Sequence, residues 1–174
     1  MFSLEIIYLD IIFYVINYTM IYYLFDLDDT LIMHQKGIPL NYNMIQPDER
    51  LNRLLSKCKG ECHIYTNGTG GHALECIERM NIKDNFTKIY SRDTLPFMKP
   101  DFRSFKSVTN DIYRNNNDIF FFFDDQLANL KIASSVGWVT YWIHPDYKKA
   151  INYPFITMAF PNIYECLTYL ESKY

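Results

Sequence analysis

Two uninterrupted apolar runs, residues 21–25 (Ile-Tyr-Tyr-Leu-Phe) and residues 119–123 (Ile-Phe-Phe-Phe-Phe), each stop directly on an aspartate. A continuous apolar run of this length suits a strand buried on both faces, as in a parallel sheet covered by helices. Between and after these runs the pattern changes to helical periods. Pro47 opens a helix with Asp48 and Glu49 in its first turn, an apolar stripe of Leu51, Leu54, Leu55 and Cys58, and Gly60 as its stop. His63-Ile64-Tyr65 reads as a short strand ending in Thr66-Asn67-Gly68. A second helix from about Gly71 turns Leu74, Ile77 and Met80 inward, and Lys88-Ile89-Tyr90 reads as a strand. After Lys99-Pro100 a third helix carries Phe102, Phe105, Val108 or Thr109, and Ile112 on one face. The next helix buries Leu127, Leu130 and Ala133 and ends at Gly137; residues 139–143 form a strand and residues 163–170 a last helix.

Strand and helix alternating with short joins predict an α/β fold, a Rossmann-like three-layer sandwich around a central parallel sheet. Ligands of such sheets bind beyond the carboxyl ends of the strands. Asp26, Thr66 and Asp124 all fall at those ends.

Asp26-Leu27-Asp28-Asp29-Thr30 brings three carboxylates into four positions, where their repulsion is costly unless something offsets it. A divalent cation is the usual offset, and hard oxygen donors select Mg²⁺, which in turn favours a phosphate substrate. Taken singly, each piece has an ordinary reading. An Asp-rich turn is most simply a solvated loop or a helix cap, Thr66-Asn67-Gly68 a turn, and Lys99-Pro100 a helix entry.

The 174 residues are 49% hydrophobic and 17% aromatic, enough for one domain with its own core and unlike a disordered chain. A net charge of −3 gives no strong nucleic-acid footprint. Cys58, Cys62 and His63 approach a metal-ligand spacing, but no second pair completes a tetrahedral set, so Cys58, Cys62, Cys76 and Cys166 are expected as reduced thiols. Residues 1–19 form an apolar extension carrying Glu5 and Asp10, without the positive start of a signal peptide. The uncharged stretch from Ile11 to Phe25 is short for a membrane span and must also supply a strand, so no span and a cytoplasmic, soluble location are expected. The organisation read from the chain is this extension followed by a domain over residues 20–174.

The segments Phe25-Asp26-Leu27-Asp28-Asp29-Thr30-Leu31, Ile64-Tyr65-Thr66-Asn67-Gly68, Lys99-Pro100-Asp101 and Phe122-Phe123-Asp124-Asp125 with Asn129 resemble, in order, the four motifs of the haloacid dehalogenase-like (HAD) hydrolases. The resemblance covers about residues 20–147 and implies a HAD-like phosphatase. Asp26 would be the nucleophile that forms an aspartyl phosphate, and Asp28 the general acid and base, with its carbonyl able to reach the metal. Thr66, the backbone N–H of Asn67, and Lys99 would hold the phosphoryl group. Asp26, Asp28 and Asp124 would hold Mg²⁺, with Asp125 and Asn129 in support. His34, His72 and Arg92 are possible substrate contacts, although His34 alone reads as a surface histidine. Asp29 is read as a loop or capping residue.

Only a loop and one helix fit between Thr30 and Thr66, and little more between Asn67 and Lys99. The chain therefore resembles a member without a substantial cap, with residues 32–46 as a short flap. Thr66-Asn67-Gly68 with His72-Ala73, and Asp124 to Asn129 followed by Gly137-Trp138, resemble pyrimidine 5′-nucleotidase-like members, whose helical cap this chain lacks. The expected function is a Mg²⁺-dependent phosphomonoester hydrolase acting on nucleotides or other small phosphates. Two other readings remain: a phosphatase of phosphoproteins or polynucleotide ends, and a binding or scaffold protein that keeps the fold for contacts.

Overall fold

The computed structural model describes residues 19–34, 37 and 39–173. The apolar extension proposed for residues 1–19 lies outside them, save for Thr19. Six parallel strands form one sheet: β1 (Ile21–Phe25), β2 (Glu61–Tyr65), β3 (Phe86–Tyr90), β4 (Ile119–Asp124), β5 (Val139–Ile143) and β6 (Met158–Phe160). Their order is β3-β2-β1-β4-β5-β6. The chain thus leaves β1 toward one edge and returns through β4 toward the other. The switch point between β1 and β4 is where a sheet of this type leaves an open crevice.

The two apolar runs are neighbours, with Phe25 opposite Phe123 in parallel register. Alternate side chains of each strand feed two separate cores, as a sheet with two covered faces requires. Tyr23, Phe25, Phe121 and Phe123 pack under the helices α1 (Glu49–Leu55), α2 (Gly70–Arg79) and α5 (Ile163–Lys173). Tyr22, Leu24, Phe120 and Phe122 pack with Phe105, Leu130 and Trp138 beneath α3 (Phe102–Ile112) and α4 (Leu127–Ser135). Phe25 and Phe123 stack at 4.6 Å between ring centroids, and each ring buries apolar area worth about 1.5–3 kcal/mol. This aromatic layer lies directly beneath the aspartates that follow it.

Several local expectations are corrected. The first helix ends at Leu55, with Asp48 as its N-cap accepting from Leu51 N at 2.8 Å, so Cys58 lies beyond it. Gly60 does not stop that helix. It lies where the chain passes β1, and a Cβ there would sit 2.0 Å from the Ile21 carbonyl oxygen. Leu74 and Phe102 face solvent, while Ala73, Cys76 and Ile77 on α2 and Ser104, Phe105 and Val108 on α3 are the buried positions. The edge strand β6 adds an element that the apolar pattern does not mark. Gly137 does end α4, at φ +88°.

Cys62 and His63, successive residues of β2, point to opposite faces of the sheet. Cys62 lies in the core under α1, α2 and α5, and His63 sits beside the Tyr22 and Tyr90 rings. They cannot share one metal, and all four cysteines are free thiols. No described helix is long and apolar enough to cross a membrane. Only the flap, a short 3-10 turn and α1 separate β1 from β2, and only α2 and another 3-10 turn separate β2 from β3. Among the described residues there is no substantial cap.

Candidate active site

β1 and β4 deliver Asp26 and Asp124 side by side, because Asp26 N donates to the Phe123 carbonyl (2.9 Å) and so continues the ladder one residue past the strand. Both carboxyls are buried. The chain then turns sharply, with Leu27 O accepting from Leu31 N (2.9 Å) and Ile32 N (3.0 Å). Asp29 takes the left-handed conformation at φ +60°, which short polar side chains tolerate. Its Oδ1 accepts from His34 N at 2.9 Å, a capping role as read from the sequence.

Lys99, 4% exposed, enters from the loop before α3. Its ammonium donates to Asp26 Oδ1 (2.8 Å), Asp124 Oδ2 (2.7 Å) and the Tyr65 carbonyl (2.7 Å). All three of its hydrogens are thereby used, so it acts as a fixed positive charge. Burial opposes that charge, yet Asp124 and Asp26 outweigh it and hold the lysine above its ordinary pKa.

One ammonium faces three acids. Burial pushes the Asp26 carboxyl up to about 7, with Lys99 opposing and Asp124 and Asp125 adding to the rise. Burial, then Asp124 and Asp29, raise Asp125 to about 6. One oxygen each from Asp26, Asp124 and Asp125 lies within 4.8 Å of the others, and Asp125 Oδ1 is buried without a hydrogen-bond partner. Surplus negative charge, converging hard oxygens and an unpaired carboxylate oxygen fit a small divalent cation such as Mg²⁺. Among the described residues this is the one group of three side chains of metal-ligating type. Asn129 donates from Nδ2 to both Asp124 oxygens (3.1 and 3.0 Å), and Gln126 N donates to Asp124 Oδ1 (2.7 Å), fixing that carboxylate.

Thr66 continues β2 as Asp26 continues β1, its N donating to the Tyr90 carbonyl at 2.9 Å. Its Oγ1 accepts from Gly68 N (2.9 Å), which leaves its hydroxyl hydrogen to donate elsewhere. The Asn67 side chain ties this loop to the lysine: Nδ2 donates to the Lys99 carbonyl (2.8 Å) and Oδ1 accepts from Lys99 N (2.9 Å). Arg92 is exposed and donates from Nε to the Asn67 carbonyl (2.8 Å), which braces the loop from outside.

The Asp28 carboxylate stands apart from the three clustered acids and is held by histidines. His34 Nε2 lies 2.7 Å and His72 Nε2 2.9 Å from its Oδ1. Tyr42 of the flap bonds His72 Nδ1 at 2.8 Å. The structure thus gathers Asp26, Thr66, Asn67, Lys99, Asp124, Asp125 and Asn129 at the switch point, with Asp28, His34 and His72 at its rim. Sequence reasoning missed Thr30, whose Oγ1 lies 3.5 Å from Asp26 Oδ2, and Tyr42. Thr30 sits inside the first motif and could have been found there. Tyr42 lies 30 residues from its partner with no local pattern to mark it.

The family model of the haloacid dehalogenase-like hydrolases matches residues 44–143, and the chain belongs to that family. Solved structures share the fold at low identity. A Thermotoga maritima protein described as a β-phosphoglucomutase aligns with a TM-score of 0.67 at 14% identity, covering 88% of this chain and 99% of that one. A Bacillus subtilis HAD hydrolase solved bound to magnesium aligns with a TM-score of 0.61 at 18% identity, covering 87% and 99%. The L-2-haloacid dehalogenase of Xanthobacter autotrophicus, solved with chloropropionic acid covalently bound, gives 0.58 at 12% identity over 76% of this chain. The match spans 64% of that enzyme's length. A sequence comparison with curated proteins finds no match.

Proposed function

We propose that this protein is a Mg²⁺-dependent phosphomonoester hydrolase that works through an aspartyl phosphate on Asp26 and acts on nucleotides or other small phosphates. The observation that carries the reading is the convergence of Asp26, Asp124 and Asp125 around one buried lysine at the mouth of the β1–β4 switch point. The magnesium in the Bacillus protein and the covalent adduct in the Xanthobacter enzyme support metal binding and covalent chemistry on this fold.

Asp26 attacks phosphorus through its carboxylate as the bond to the leaving oxygen breaks, giving the acyl phosphate and the free alcohol. Asp28 gives a proton to that leaving oxygen, then takes one from the water that attacks phosphorus in the second step. That step frees inorganic phosphate and returns the Asp26 carboxylate. Thr66 and the loop N–H groups hold non-bridging oxygens, and Lys99 balances charge on the transferring group. Asp26 and Asp124, with Asp28 through its carbonyl and Asp125 nearby, would hold the cation, which would supply charge to offset the repulsion between carboxylate and phosphate dianion.

A cavity of about 720 Å³ under the flap meets the site at Thr30 and His34 and runs past Leu40, Ile45 and Tyr164. That volume is typical of small-ligand sites, about 300–1,000 Å³, and supports a small leaving group over a polymer end. The test is phosphate release with Mg²⁺ from nucleotides, sugar phosphates, phosphopeptides, 3′-phosphorylated oligonucleotides and an aryl phosphate. Turnover of the aryl ester and of nucleotides or sugar phosphates is expected, lost in Asp26→Asn and Asp28→Asn. Release confined to oligonucleotides or phosphopeptides would contradict the choice of substrate, and turnover surviving both substitutions would contradict the mechanism.

A further inference from the structure

Asp28 Oδ1 is shared by the Nε2 atoms of His34 (2.7 Å) and His72 (2.9 Å). The other oxygen, Oδ2, lies by Gly68, where a built Cβ would stand 3.6 Å from it, 3.2 Å from Thr66 Oγ1 and 3.1 Å from His72 Cδ2, so Oδ2 sits beside the loop that carries Thr66. His72 also meets the Tyr42 hydroxyl at Nδ1 (2.8 Å), and His34 N donates to Asp29 Oδ1 (2.9 Å). A neutral His72 that donates from Nε2 and accepts the tyrosine hydrogen at Nδ1 satisfies both bonds at once. Cys76 Sγ lies 3.7 Å from the same Nδ1. Carboxyl groups rotate freely unless held, and an acid must lie within hydrogen-bond reach of the leaving oxygen.

We propose that His72 and His34 are positioning residues that pin Asp28 by Oδ1 and thereby aim Oδ2 at the leaving oxygen, with Tyr42 locking His72 and tying the flap to this arrangement. The assignment rests on the phosphatase reading above and adds to it which oxygen carries the proton and what holds it. His72 and His34 then act through Asp28.

General acid catalysis matters most when the leaving alcohol is a poor one, and is worth about 10²–10⁴-fold in total. The experiment compares kcat/KM of wild type, His72→Ala, His34→Ala and Tyr42→Phe over phosphate monoesters running from an activated nitrophenyl ester to an alkyl ester. For His72→Ala the expected loss is about tenfold or more on the alkyl ester and about threefold or less on the nitrophenyl ester. Tyr42→Phe should show a weaker loss of the same slope. His72→Gln, which keeps a donor, should recover part of the alkyl-ester activity. Should His72→Ala fail to fold, the Gln and Tyr42→Phe variants carry the comparison. Equal losses across the series, or a rise in KM alone, would overturn the assignment while leaving the phosphatase reading intact. A wild type that hydrolyses none of the esters with Mg²⁺ would overturn that reading and the assignment with it.

Discussion

The ammonium of Lys99 lies 2.8 Å from Asp26 Oδ1, in a site where both side chains are shut away from solvent. A buried charge pair of this kind contributes little net stability over an apolar replacement of both members, but removing one member leaves the other uncompensated. Lys99→Met therefore leaves Asp26 and Asp124 without a counter-charge. It should abolish turnover and cost about 3–5 kcal/mol in chemical denaturation without metal. Lys99→Arg should not restore activity, since a planar guanidinium cannot reproduce three bonds that diverge from one nitrogen.

Asn129 touches Asp124 and no expected substrate atom, since its Nδ2 spans both carboxylate oxygens. Such outer partners typically set metal affinity by about 10–100-fold. Asn129→Ala should raise the Mg²⁺ concentration for half-maximal activity by about that factor, with much of the turnover recovered at saturating metal. A Mg²⁺ titration of activity decides it.

Without metal, the acids make stability fall as pH rises. Asp26 and Asp125 are ordinary carboxyls near 3.8 when unfolded but are raised to about 7 and about 6 in the fold. Between those values the folded state holds more protons, so its stability declines from about pH 4 up to about pH 7. Thermal unfolding in chelator should show that decline. Added Mg²⁺ should raise Tm more at pH 7.5 than at pH 5, where the cation must compete with bound protons. Asp26→Asn should raise Tm without metal at neutral pH and reduce the Mg²⁺ effect.

Gly60→Ala tests the packing beneath the site. Its Cβ would meet the Ile21 carbonyl oxygen at 2.0 Å, and that oxygen is backbone, which cannot swing aside. A loss of about 3 kcal/mol, at the upper end of overpacking costs, is expected in denaturant unfolding.

The strands and the acids were legible for the same reason. In a doubly covered parallel sheet a buried strand reads as an unbroken apolar run, and the next residue is the one that reaches the crevice. Asp26 and Asp124 could thus be placed at the crevice from position alone, while their roles could not. Helix faces were less legible. Leu74 and Phe102 fit an apolar stripe, but a short helix offers more than one such stripe, and only packing chooses between them. The edge strand Met158–Phe160 has three residues and lies between Pro154 and Pro161, too short to show a period. His34, His72 and Tyr42 carry no shared pattern. His34 and His72 meet at Asp28, and Tyr42 reaches His72, through contacts between positions up to 44 residues apart.

Asp26 should carry the phosphoryl group during turnover. Borohydride quenching of the wild type during turnover of an aryl phosphate with Mg²⁺ reduces an acyl phosphate to homoserine, which peptide mass spectrometry can locate. Homoserine is expected at position 26, absent without substrate and absent in Asp26→Asn. Turnover that leaves Asp26 unmodified, or that places the modification on Asp28, Asp124 or Asp125, would contradict that role of Asp26.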